Sequence, residues 1–97
     1  MNEPIKIAGM VWYRSEEYEA ILSIMEDAFK LPRDYPIWRM QAEANEKKAH
    51  RLGFSTIRAF IDPATFPAWC LARGYKIDAE ARNIFANLAA KEAAGNI

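Results

Sequence analysis

The chain is short of the residue types that most often mark chemistry. It has one cysteine, Cys70, and one histidine, His50, in 97 residues. One thiol excludes an intrachain disulfide, so a reducing compartment is the expectation. One His and one Cys cannot close a zinc shell. Its four glycines, Gly9, Gly53, Gly74 and Gly95, stand apart from one another, which excludes a phosphate-cradling glycine loop. No Ser-His-Asp signature is present. The longest apolar run, Ile7–Tyr13, is far shorter than the roughly 20 residues of a membrane span. The opening Met-Asn-Glu-Pro carries no basic stretch of the kind that starts an export signal. A cytoplasmic location away from any membrane is therefore expected. Charge of one sign is also missing, since 13 bases balance 13 acids. No global field draws the chain to nucleic acid or to an anionic surface.

What is present is a globular composition, with 52% apolar and 12% aromatic residues. The length predicts a single domain over 1–97. Charge is segregated: residues 1–29 hold six acids and two bases, whereas residues 30–58 hold seven bases and three acids. An acidic first helix beside a basic second one follows, either as an attraction within or between chains or as a solvated surface of i,i+4 pairs.

Two segments read as strands, Ile5–Tyr13 and Phe54–Ile61, and both are apolar on both alternating faces. Ile5, Ile7, Gly9, Val11 and Tyr13 share one face of the first; Ala8, Met10 and Trp12 share the other. In the second strand Ile57, Ala59 and Ile61 oppose Thr56, Arg58 and Phe60. Between them, Ser15 is an N-cap candidate for a helix with the stripe Tyr18, Ile21, Leu22, Met25, Ala28 and Phe29, ended by Pro32. A second helix from Ile37 to Leu52 has an expected inner stripe of Trp38, Ala42, Asn45, Ala49 and Leu52. Arg39, Glu43 and Lys47 lie outward, and Gly53 follows as the C′ residue. Thr65 and Asp78 can cap two more helices, Phe66–Arg73 and one with Ala81, Ile84, Phe85 and Leu88 inward. The Ala-rich tail 89–97 is expected to fray.

The order is β-α-α-β-α-α. Two helices of about 16 residues each would take the chain down and back up, so the strands are expected to pair antiparallel. The fold class is α+β, a two-stranded ribbon with about four helices mainly on one face. Trp12-Tyr13-Arg14, the Ile61-Asp62-Pro63 turn with Phe66 and Trp69-Cys70, and the helix start Ile77–Arg82 together resemble a group of small bacterial proteins of unknown function. The resemblance spans most of the chain and implies no activity, cofactor or catalytic residue.

No residue pattern points to catalysis. Cys70, between Trp69 and Leu71, reads as a buried structural thiol. His50 lies one turn from Glu46 on a charged helix face and reads as a solvated partner of that carboxylate. Glu26-Asp27 and Glu16-Glu17 are not spaced as catalytic dyads. No metal or cofactor is expected. The remaining feature is the second strand face. With helices over the Ile7/Val11/Ile57/Ile61 side, Met10, Trp12, Arg58 and Phe60 would form an apolar patch with one cation, unless the last two helices cover it.

Three readings follow. The first is a non-catalytic protein that self-associates as a homodimer, by joining two ribbons edge to edge or stacking their outer faces. The second is a small-molecule-binding protein or enzyme, with Arg58 receiving a small anion in a pocket near Trp12 and Trp69. The third is weak nucleic-acid binding, through Lys47, Lys48 and Arg51 with Arg39 and Arg58 extending the cluster, or through a helix-turn-helix presenting Arg82, Asn83 and Asn87. That third reading is disfavoured by the acids interleaved in the basic helix and by the length of the joint after Gly74.

Overall fold

A computed structural model of the chain describes residues 6–95. The element order is β1 (Ile7–Trp12), α1 (Tyr18–Ile24), α2 (Tyr35–Arg51), β2 (Ser55–Phe60), α3 (Phe66–Ala72) and α4 (Ala79–Gly95), with single 3-10 turns at Ser15–Glu17 and Ala28–Lys30. The α+β class, the four helices and the β-α-α-β-α-α order are as the sequence predicts. Ile5, expected to open the first strand, lies outside the described residues.

The strands are parallel, not antiparallel, with Gly9 opposite Ile57, Met10 opposite Arg58 and Trp12 opposite Phe60. The connection between the strands sets this direction. The expected first helix of about four turns is instead a 3-10 turn, a seven-residue helix and a second 3-10 turn. Helix α1 rises only about 10 Å, whereas the 17-residue α2 rises about 25 Å. A single long helix carries the chain back to the starting end of β1, so β2 runs the same way as β1.

The apolar stripe is interrupted at Met25, whose backbone is extended at ψ 128°. Glu26 and Asp27 are drawn to the α3–α4 joint. The Glu26 N–H donates to the Ile77 carbonyl at 2.8 Å, and the Ile77 N–H donates to the Glu26 carboxylate at 2.9 Å. Asp27 accepts from the Ala79 N–H at 2.9 Å and from both terminal nitrogens of Arg82, at 2.7 and 3.2 Å. Arg82 also reaches the Met25 Sδ at 3.3 Å. Beyond this break Phe29 is carried outward to 82% exposure. Ser15 does not act as the expected cap, since it sits inside the first 3-10 turn.

The helices do not lie mainly on one face. Helix α4 covers the Gly9/Val11/Ile57/Ala59 side so closely that a Cβ on Gly9 would stand 1.9 Å from the Ala86 carbonyl oxygen. Its buried face is therefore the small-residue set Ala81, Ala86 and Ala90 with Arg82, while Leu88 is partly exposed. Helix α2 covers the opposite side. Trp38 packs edge-on against Trp12 at 5.3 Å, and His50 bonds the Thr56 hydroxyl at 2.8 Å. Trp38 and Ala42 face inward as expected, but Asn45 and Leu52 are exposed.

Trp38 sits at the centre of an aromatic cluster with Trp12, Tyr13, Tyr18 and Tyr35, ring centroids 4.7–6.1 Å away. Each such pair contributes about 0.5–1.5 kcal/mol beyond area burial. Gly53 and Gly74 close α2 and α3 at φ +90° and +74°. The following residues, Phe54 and Tyr75, donate back to Ala49 and Cys70, forming a Schellman stop at each helix. Helix α4 continues through the Ala-rich stretch to Gly95, where fraying was expected. Residues 96 and 97 lie outside the described residues. No described helix is long and apolar enough to cross a membrane.

Asp27 and Arg82 are both buried, so removing one strands the other. Asp27→Ala should lower stability by about 3–5 kcal/mol, and adding Arg82→Met should restore much of it; urea melts check both. Burial pushes the Asp27 carboxyl up, but Arg82 and the Ala79 N–H outweigh it and hold it below its ordinary value. The pair's contribution is therefore full above the unfolded value of about 4 and is lost as pH falls through the folded one. The stability gap between wild type and Asp27→Asn should narrow accordingly below about pH 4.

Candidate functional site

Parallel pairing brings the carboxyl ends of both strands to one side of the sheet. Trp12 and Phe60 end the strands there in register, and Arg14 leaves β1 beside them. Of the four expected patch residues, the structure gathers Trp12, Arg58 and Phe60 at this end. Met10, the register partner of Arg58, lies two pairs in from Trp12 and Phe60 and is half-buried against the core. The patch is not an open apolar face. Trp12 is 1% exposed, and Phe60 is 37% exposed. Helix α2, not the last two helices, provides the cover.

Arg58 closes over Trp12 with its guanidinium 4.0 Å from the ring centroid. It is held there by Glu46 of α2, to which its Nε and Nη2 both donate at 2.8 Å. This bidentate pair keeps Glu46 below the ordinary carboxylate value, chiefly through the Arg58 hydrogen bond. Two further arginines stand nearby. Arg39, on α2, has its guanidinium 5.4 Å from the Trp12 ring and donates to the Tyr35 hydroxyl at 3.3 Å. Tyr35 in turn donates to the Tyr13 carbonyl at 2.9 Å. Arg14 lies over the Phe60 ring at 4.3 Å. These side chains line a shallow depression of about 360 Å³, with Ser15 and Glu16 at its rim.

Arg14 and Tyr35 were not candidates from the sequence, and Arg39 was one only as an extension of the basic cluster Lys47, Lys48 and Arg51. Arg39 reads there as one member of an i,i+4 pair with Glu43, a pair that does form at 3.5 Å. Its second role depends on α2 crossing the strand ends. Trp69 was expected to share a pocket with Trp12. It belongs instead to a separate cluster, stacked on Phe66 at 5.6 Å and edge-on to Phe85 at 5.3 Å.

The other candidates have structural occupations. Cys70 is fully buried, and His50 is engaged with Thr56, so the two make no contact as a nucleophile pair. Arg82 is committed to Asp27 beneath α4, which removes the leading residue from the helix-turn-helix reading. Asp62 and Asp78 accept from the Ala64 and Ala81 N–H groups, as turn and cap residues do. Among the described residues no cluster of three His, Cys, Asp or Glu side chains is placed to hold a metal ion. Burial pushes the Tyr13 phenol up to about 12 against the pull of nearby Arg82, so it stays neutral at physiological pH.

Burial, with Asp78 adding to it, also pushes the Cys70 thiol up. The thiolate is the reactive form. Ellman's reagent at pH 8 should therefore leave Cys70 unmodified in the folded protein and titrate one thiol in denaturant. A fast reaction of the folded chain would contradict the burial.

Searches against protein-family models, curated proteins and solved structures found no match to this chain.

Proposed function

We propose that this is a small, non-catalytic cytoplasmic binding protein that pairs with a second copy of itself through the free edge of β1. The observation that carries this reading is the unpaired edge. Lys6 and Trp12 carbonyls accept from Ser55 and Ile61, so the even-numbered residues of β1 direct their backbone groups toward β2. The odd-numbered residues Ile7, Gly9 and Val11 direct theirs outward. None of these three has a backbone or side-chain hydrogen-bond partner across that edge among the described residues. The strand Ile7–Trp12 contains no charge and no proline, the usual guards of an open edge. The outer edge of β2, by contrast, carries Arg58.

Two-fold pairing of β1 with itself is antiparallel and centres on Gly9, with Ile7 of each copy opposite Val11 of the other. The product is a four-stranded sheet in the order β2-β1-β1-β2. It replaces a two-stranded sheet, which is marginal on its own, with one of ordinary size. Helices α2 and α4 occupy the two faces, which leaves the edge, not an outer face, for pairing.

Light scattering at micromolar concentration should give twice the 11.1 kDa of one chain. Ile7→Pro removes an outward N–H and leaves the β1–β2 ladder intact. It should give a folded monomer, with circular dichroism unchanged. A wild-type monomer up to about 100 μM, or a dimer indifferent to Ile7→Pro, would overturn the reading.

A further inference from the structure

We propose that the depression at the carboxyl ends of β1 and β2 binds a small organic monoanion with an aromatic body, its carboxylate or phosphate oxygens held by Arg14 and Arg39. This site is separate from the β1 edge and does not depend on dimer formation.

Three observations carry it. First, the three arginines at this place are held very differently. Arg58 is fixed by two 2.8 Å bonds to Glu46 and forms part of the floor over Trp12. Arg14 touches Glu17 only at 3.4 Å, and Arg39 touches Glu43 only at 3.5 Å, all with exposed or partly exposed side chains. Pairs of that length and exposure contribute little, so an oxyanion between the two guanidiniums competes easily for them. Second, the surroundings are aromatic. The Phe60 ring is partly open beneath Arg14, and Tyr35 presents a hydroxyl already tied to Arg39. A flat apolar body has a surface to lie on there, and a guanidinium plane to stack against.

Third, the charge of the lining sets the ligand's valence. Arg14, Arg39 and Arg58 stand among the carboxylates of Glu16, Glu17, Glu43 and Glu46. No excess positive charge gathers there, so a ligand with a single negative charge is favoured over a polyphosphate. The depression of about 360 Å³ lies at the small end of ligand pockets. The parallel order of the strands puts it together, because only that order brings Trp12 and Phe60 to the same end.

The probes are phenylacetate and phenyl phosphate, with benzyl alcohol as the neutral analogue and inorganic phosphate as the bare anion. Thermal melts and tryptophan emission of the full chain provide the readouts. At least one aromatic anion should raise the melting temperature saturably at concentrations up to about 10 mM. Benzyl alcohol and inorganic phosphate should not. A response to phenylacetate alone identifies a carboxylate site, and to phenyl phosphate alone a phosphate site. Arg14→Gln and Arg39→Gln should each weaken binding about tenfold. Arg33→Gln, an exposed change in the α1–α2 connection, should leave it intact. No saturable response to either aromatic anion, an equal response to benzyl alcohol, or binding unchanged in both arginine variants would overturn the proposal. Retention of the dimer in the same variants separates this outcome from failure of edge pairing.

Discussion

The buried ion pair between Asp27 and Arg82 is the constraint from which the remainder of the architecture follows. Both side chains are largely buried, and each satisfies the other through two hydrogen bonds. Asp27 also receives the first N–H of α4, where a carboxylate is favoured by the helix dipole. With Glu26 and Ile77 exchanging two hydrogen bonds beside it, the segment after α1 is tied to the start of α4 across about fifty positions of sequence. That tie stops α1 at seven residues, despite an apolar stripe long enough for a helix twice the length.

The short α1 has a consequence for direction. One long helix returns the chain, and the strands run parallel. Parallel strands deliver their carboxyl ends, and the loops leaving them, to one place. Trp12, Arg14, Phe60 and the α2 residues crossing above them meet there. In an antiparallel ribbon Trp12 and Phe60 would stand at opposite ends, and no common depression would form. Arg82 also stands beside Tyr13, which lines the depression, so the buried pair bears on it through that phenol as well as through topology.

A parallel sheet needs cover on both faces, and this chain has enough helix to supply it. Gly9 lets α4 approach to contact distance, while Trp38 and the Glu46–Arg58 pair seal the α2 side. Coverage of the faces leaves the edges as the unmet requirement. The apolar β1 edge, unpaired among the described residues, is where a second strand would gain most. The proposed self-pairing there and the proposed ligand site at the strand ends would use different atoms of the same two strands.

Much of this was legible in the residues. Within Ile7–Trp12 and Ser55–Phe60 side-chain alternation assigned the two faces correctly, although Tyr13 packs beside Trp12 on Trp38. Gly53 and Gly74 marked two helix ends, and the order of elements follows from periodicity and turn residues alone. These are local properties, set by a residue and its near neighbours. Strand direction, the exposure of Phe29 and the burial of Trp12 were not legible. Each depends on what a distant segment does: Arg82 breaks the helix that Met25 and Phe29 would have continued, and α2 covers a face that looked unpartnered. Arg14 and Arg39 joined the site for the same reason. Their charges are plain in the chain, but only the packing of α2 across two parallel strand ends sets them around one depression. Periodicity records which side of an element is apolar; it carries no information about which other element will cover it.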